Sequence, residues 1–403
     1  MGIRGNQTSW ESLNRVVPPG PLTIIKRYAM ACDFEVALND TTAEVDAQFA
    51  LDALDEIDRL ESRLSIFRSD STISRVNLLA SELDVPVEED VWEILCMALD
   101  YAEQTQGAFD PTASPLWRVW GFAKRDGEFP SAEAIAQARE KTGIAHVRLN
   151  PERRAVAFDQ SGVELNFGAI GKGYALDRAA QILLEGGVND FLIQGGKSSA
   201  LAHGGRVNDY RYDAELESSA DAPVASAEEL DEESGLPKRR GKRARTAEED
   251  AAAALEAWLP SDLTSIDPSL RHANQRTGWT VGLSHPLAPD KRLGELWLQD
   301  TALGSSGSTY QFFRSGGKRY SHIIDPRSGY PAQGVLATTV LTPSAAVADA
   351  LATAFFVLGP EQTQAYCDAH PEVGAIVILE SERHCSGLEI EVFNLSDQTL
   401  RLY

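Results

Sequence analysis

Apolar residues recur at helical spacing through TTAEVDAQFALDALDEIDRLESRLSIF. Val45, Phe49, Leu54, Ile57, Leu60 and Leu64 fall on one face with acids opposite, which predicts an amphipathic helix. Two more helices are predicted, over VWEILCMALDYAEQTQG, ending at Gly107, and over SAEAIAQAREKTG, with Ser131 as N-cap and Gly143 at the stop. AMACDFEVAL alternates as a strand, HVRLNPERRAVAF has the pattern of a hairpin, and VELNF predicts a strand running into NFGAIGKGYALD. A helix over GYALDRAAQILLEGG and a strand at FLIQGG follow. Later strands are expected around GWTVGLSHP, GELWLQDTALGSS and GKRYSHIID, then a helix over VADALATAFFVLG and final strands. This is an α+β pattern: packed helices with a mixed or antiparallel sheet in one domain.

Two stretches break the pattern. Residues 1–27 have the texture of a loose arm, closed by Pro18-Pro19-Gly20-Pro21. Residues 207–275 pass from acid-rich AEELDEESG through basic KRRGKRAR into alanine-rich, polar sequence with few large apolar side chains. Such a segment cannot offset its ordering entropy, so it is expected to be a mobile insertion in a core formed by 28–206 and 276–403.

The chain has 403 residues and a formal net charge of −23, which argues against nonspecific nucleic-acid binding. Cys32, Cys96, Cys367 and Cys385 show no metal-ligand spacing. The N-terminus lacks the apolar core of a signal peptide, and no run has the length of a membrane span, so a cytoplasmic protein is expected.

Four stretches carry candidate chemistry. NFGAIGKGYALD, residues 166–177, lacks the first glycine and the hydroxyl of a P-loop, and its glycine spacing is not that of a dinucleotide-binding fingerprint. What remains is a glycine-rich turn into a helix N-terminus with Lys172 beside it, either an anion site or a plain tight turn. In VADALATAFFVLG, Asp349 is the single charge of an apolar helix, and Thr353 lies four residues on. A buried carboxylate needs a partner. Asp349 and Thr353 suit a hard cation such as Mg²⁺, or the carboxylate caps backbone N–H groups. RYSHIIDPRSGYP delivers His322 and Asp325 into a turn, where His322 is a base or a ligand-positioning donor, or is simply structural. GAFDPTASPLWRVWGF places two tryptophans after a polar turn at Asp110, a wall for a flat heterocycle or simply aromatic core.

In this order, with LSIFRSDSTISRVN, LIQGG and GSSGSTYQFF, the four stretches closely resemble the ApbE-type flavin transferases, the FAD:protein FMN transferases. The resemblance runs from about Tyr28 to Gly205 and from Gly278 to about Leu379. It implies a flavin transferase domain that uses Mg²⁺ and moves the FMN half of FAD onto a Ser or Thr hydroxyl of a target protein, releasing AMP. An FAD pyrophosphatase and a non-catalytic FAD binder are the alternatives. By the same resemblance Met30, Phe67, Ala108, Phe109, Asp110, Asn166, Lys172 and Ile324 contact the cofactor. The resemblance also assigns the metal to Asp349, Thr353 and the carbonyl of Ala169, while His322 and Asp325 are candidates for catalytic base. Two positions depart from the family pattern: Asn166 and Lys197 each stand where aspartate is usual.

Overall fold

The computed structural model describes residues 22–39, 44–122, 129–205, 278–308, 312–315, 318–381 and 387–403. The 207–275 segment, Cys385 and residues 1–21 of the expected arm lie outside these. Strand β1 (Leu22–Ala29) begins within the stretch expected to be the arm and pairs with β2 (Cys32–Asn39) in an antiparallel hairpin. The strand expected across AMACDFEVAL is therefore a turn followed by a strand. Met30 and Ala31 take φ values of +46° and +61°, because a two-residue connection between right-twisted strands needs left-handed backbone at both positions. Neither residue is a glycine or asparagine, so nothing in the sequence marked the turn.

Helices α1 (Glu44–Leu64), α2 (Thr72–Leu79), α3 (Glu89–Gln104), α4 (Ser114–Val119) and α5 (Ala132–Arg139) follow. Strand β3 (Val85–Pro86) falls between α2 and α3. The expected cap forms: Ser131 Oγ accepts from Ala134 N–H at 3.2 Å. The expected hairpin forms too, as β4 (Val147–Asn150) and β5 (Ala155–Phe158). Then come α6 (Gly171–Glu185), β6 (Phe191–Gly195) and β7 (Ser199–His203). Beyond residue 277 lie β8 (Trp279–His285), β9 (Ala288–Leu298), β10 (Thr301–Gly307), β11 (Phe312–Ser315) and β12 (Lys318–Ser321). Short β13 (Ile324–Asp325) and β14 (Tyr330–Pro331) precede β15 (Val335–Thr342). Helices α7 (Ala345–Leu358) and α8 (Pro360–Ala369) lead to β16 (Gly374–Glu380), β17 (Leu388–Phe393) and β18 (Leu400–Leu402).

Eight strands form the central sheet in the order β1-β2-β6-β7-β10-β15-β16-β17, and every neighbouring pair is antiparallel. Alternation along each strand divides the side chains between two faces. Phe34, Val36 and Leu38 of β2 pack with Leu54, Ile57 and Leu60 of α1, in the core shared with α3, α6 and α7. Leu192, Leu303 and Ile376 join Trp279, Leu296 and Leu298 of the three-stranded sheet β18-β9-β8. The central sheet thus carries helices on one face and a small sheet on the other.

Helix α7 comes unusually close to its neighbours. A Cβ placed on Gly304 of β10 would lie 2.3 Å from the Ala348 carbonyl carbon, and one on Gly173 of α6 would lie 2.0 Å from the Ala345 carbonyl oxygen. The two helices also satisfy each other's first turns. Asp177 of α6 accepts from the N–H groups of Ala345 (2.7 Å) and Ala346 (3.0 Å) and from the Ser344 hydroxyl (2.7 Å). Asp349 of α7 accepts from Gly173 N–H at 2.8 Å. N-terminal helical N–H groups have no partner within their own helix, so each carboxylate caps the other helix.

Gly304→Ala should lower unfolding free energy by about 1–3 kcal/mol, the usual cost of overpacking. Gly171→Ala, whose added methyl meets only Phe167 Cβ at 3.6 Å, should change it by less than about 1 kcal/mol. Urea denaturation of both variants checks the pair, and equal stabilities would refute the close-approach argument.

Candidate functional site

Asp349 is buried at 6% exposure, yet its side chain reaches the wall of a cleft of about 900 Å³. Its two oxygens are held separately: Oδ2 by Gly173 N–H, and Oδ1 by the Ser199 hydroxyl at 2.8 Å. Burial pushes its carboxyl above the ordinary range, while the Lys172 charge and these two hydrogen bonds pull it back and Asp177 adds to the rise. Each carboxylate oxygen keeps acceptor capacity beyond its one hydrogen bond. Asp349 therefore forms the cap expected as one alternative and also lines the cleft.

Gly173 N–H is the group that would bond the Ala169 carbonyl if α6 started one residue earlier. It goes to Asp349 instead, and the helix begins at Gly171. Ala169 and Thr353 line the cleft beside Asp349. A carboxylate, a hydroxyl and a backbone carbonyl form an all-oxygen donor set, suited to a hard divalent cation that retains waters. Among the described residues, no group of three His, Cys, Asp or Glu side chains is arranged for a metal, so a zinc-type site has no basis in them.

The structure brings most of the sequence candidates to this one cleft. Phe67, Ala108, Phe109, Asp110, Asn166 and Lys172 line it, as do His322 and Ile324. Phe67 is 80% exposed, an aromatic ring held out at the rim. Asp110 accepts from the backbone N–H and hydroxyl of Thr112 at 2.7 and 2.6 Å, and burial raises its carboxyl despite them. Asn166 Oδ1 accepts from Gly168 N–H at 2.9 Å, an Asx turn that shapes the loop before α6. His322 presents its ring edge to Phe122 at 6.4 Å.

Met30 and Asp325 are not among the lining residues. Met30 sits in the strained β1–β2 turn, partly buried against the main core, and the nearby side chain that reaches the cleft is Cys32. Asp325 is occupied by Arg327: its Oδ1 accepts from Arg327 N–H (3.0 Å) and Nε (2.8 Å), and its Oδ2 from Nη2 (3.2 Å). It closes a turn outside the lining of the cleft. The tryptophans also divide. Trp117 lines the cleft, whereas Trp120 is fully buried and donates to the Gly329 carbonyl at 2.8 Å.

The model of the ApbE family matches residues 30–217 and 250–377. The chain belongs to the ApbE family. The break in the match, 218–249, lies within the segment expected to be an insertion. Curated relatives bear the name FAD:protein FMN transferase. The one from Treponema pallidum is 28% identical over 87% of this chain and 82% of its own length; that from Klebsiella pneumoniae is 27% identical over 80% and 72%. Among solved structures, the ApbE protein of Thermotoga maritima superposes with a TM-score of 0.67 at 23% identity, covering 92% of this chain and 96% of that one. The flavin transferase ApbE of Vibrio cholerae gives 0.67 at 20% identity, covering 93% and 98%. These likenesses establish the fold. In this ApbE-family chain, no helix among the described residues is long and apolar enough to cross a membrane.

Sequence reasoning missed three contributors. The β8–β9 hairpin supplies Val281, Leu283 and His285 to the cleft. Ser199 and Ser306 reach Asp349 and Thr353 through contacts that only the sheet register reveals. The third is Asn77. The VELNF stretch, expected as a strand, is irregular, because its partner is a side chain: Asn77 donates to the Leu165 carbonyl at 2.9 Å and accepts from Leu165 N–H at 2.8 Å. This one amide imitates a neighbouring strand and holds the loop that carries Asn166 and Ala169.

Asn77→Ala should orphan both backbone groups of Leu165, a residue at 0% exposure, and so cost at least about 2 kcal/mol. Chemical denaturation reads the loss, and an unchanged midpoint would show that the loop finds its order elsewhere.

Proposed function

We propose that this chain is a Mg²⁺-dependent FAD:protein FMN transferase: it moves the FMN moiety of FAD onto a Ser or Thr hydroxyl of a target flavoprotein and releases AMP. The observation that carries the reading is Asp349, a buried carboxylate kept at the cleft wall among Thr353, Ala169 and Lys172. The family and the names of its relatives support the choice of FAD as substrate.

Each residue then has a physical task. Lys172 and Lys197 put positive charge into the cleft of a strongly acidic chain, which draws an anionic diphosphate inward. Asp349, Thr353 and the Ala169 carbonyl would hold Mg²⁺, and that ion supplies charge neutralisation at the diphosphate. The volume is at the upper end for small-molecule sites, as a dinucleotide requires. Phe67, Phe109 and Trp117 offer aromatic surface to flat rings. Asp110 and Asn166, fixed by their own turns, present acceptors at the wall. Val281 and Leu283 of the β8–β9 hairpin and Ile323-Ile324 add apolar wall.

The reaction breaks the phosphoanhydride bond and forms a phosphoester with the acceptor oxygen, whose proton must leave. His322 is a cleft-lining titratable side chain suited to take it, and Asp325 shapes the turn that follows His322. The acceptor protein approaches the open rim, where Phe67 stands exposed.

The decisive experiment incubates the protein with FAD, Mg²⁺ and a threonine-bearing acceptor, and measures AMP together with flavin covalently bound to protein. Equal amounts of both, lost in Asp349→Ala, are expected. AMP without attached flavin would replace transfer by hydrolysis, and no AMP would leave an FAD-binding protein. His322→Ala should lower kcat by about 10²-fold or more, and Asp325→Asn by less than about tenfold. The opposite ranking would reassign the base.

A further inference from the structure

Ser306 has a place in the cleft that the tasks above do not use. On β10 the residues Gly304 and Ser306 face α7: the first admits the Ala348 backbone, and the second brings its Oγ to 3.0 Å from Thr353 Oγ1. Its cross-strand partner on β15, Thr338, faces the same helix and donates to the Ala352 carbonyl at 2.7 Å. The preceding serine differs, because Ser305 pairs with Thr339 across the sheet at 3.0 Å. Of the two adjacent serines, the second is the one that meets Thr353.

The 3.0 Å contact lies within the hydrogen-bond range. It also matches the spacing of two ligands on one cation, because Mg²⁺ holds its oxygens at about 2.0–2.1 Å and right angles, which places neighbouring ligand oxygens about 2.8–3.0 Å apart. Proton accounting points the same way. A hydroxyl has one proton and two acceptor positions, and Thr353 already has the Asp349 carbonyl at 3.3 Å to receive its proton. Thr353 therefore does not need Ser306 as an acceptor, and both oxygens can face a common cation.

We propose that Ser306 is a further oxygen ligand of the divalent cation assigned above to Asp349, Thr353 and Ala169; this rests on the Mg²⁺ reading under Proposed function. Four protein oxygens then meet one ion, and the remaining octahedral positions belong to water and a phosphate oxygen of the substrate. The Ser306 proton, released from Thr353, turns toward that anionic ligand.

The test uses the full chain free of FAD and titrates Mn²⁺ alone, following the loss of its free-ion electron paramagnetic resonance signal, with circular dichroism verifying the fold of every variant. Ser306→Ala should weaken Mn²⁺ binding at least about tenfold, while Ser305→Ala leaves it near the parent value. On a Cys32→Ala background, which removes the native thiol that lines the cleft, Ser306→Cys with Cd²⁺ should add a thiolate-to-metal absorption band that the background protein and its Ser305→Cys variant lack, a signal that loss of packing cannot produce. Parent-like Mn²⁺ binding by Ser306→Ala, together with no such band in Ser306→Cys, would overturn the ligand role and leave the Mg²⁺ reading standing. Failure of the parent chain to bind Mn²⁺ at all would remove both.

Discussion

The structure turns on the contact of α7 with bare backbone on two sides, at Gly173 of α6 and Gly304 of β10. Close approach lets a short aspartate on one helix reach the first turn of the other, and both helices use it. Asp349, buried, and Asp177, half-buried, would each carry a desolvation cost in isolation. Here the cost is offset by N–H groups that need acceptors and by the positive ends of the helix dipoles. The same approach sets where Asp349 and Thr353 stand relative to Lys172, Ser199 and Ser306. The proposed ion site is thus a by-product of helix packing, with little freedom to drift.

A protein of net charge −23 brings Lys172 and Lys197 to one concavity, where Asp110 and Asp349 also stand. Its loops are held by local ties, Asp110 to Thr112, Asn166 to Gly168 and Asp325 to Arg327, and by one remote tie, Leu165 to Asn77. Such ties pre-organise a site on loops that would otherwise be loose.

Much of this was legible in the sequence where a local rule decides the outcome. The spacing of Leu54, Ile57 and Leu60 gave α1, and the serine at 131 gave a cap. A lone carboxylate in an apolar helix marked Asp349 before any fold was known. The sequence pattern failed where the deciding partner is remote. VELNF has strand-like composition, but its backbone bonds a side chain 88 residues away. Met30-Ala31 forms a left-handed turn that neither residue type favours. The tie of Asp325, a candidate base, to Arg327 two residues on was not read from the sequence. Ser199 and Ser306 are ordinary serines until strand register places them beside α7.

The mutual capping of α6 and α7 also fixes an order of events. Asp177 and Ala345 are 168 positions apart, and neither helix has its first turn satisfied without the other. While the ribosome is extending the chain, α6 waits with exposed amide groups until residues 344–349 emerge. Only then can the lysine-bearing turn and the aspartate-bearing helix lock in one cooperative step. A half-made chain that stops before α7 therefore lacks the part of the cleft wall that Asp349 and Thr353 supply.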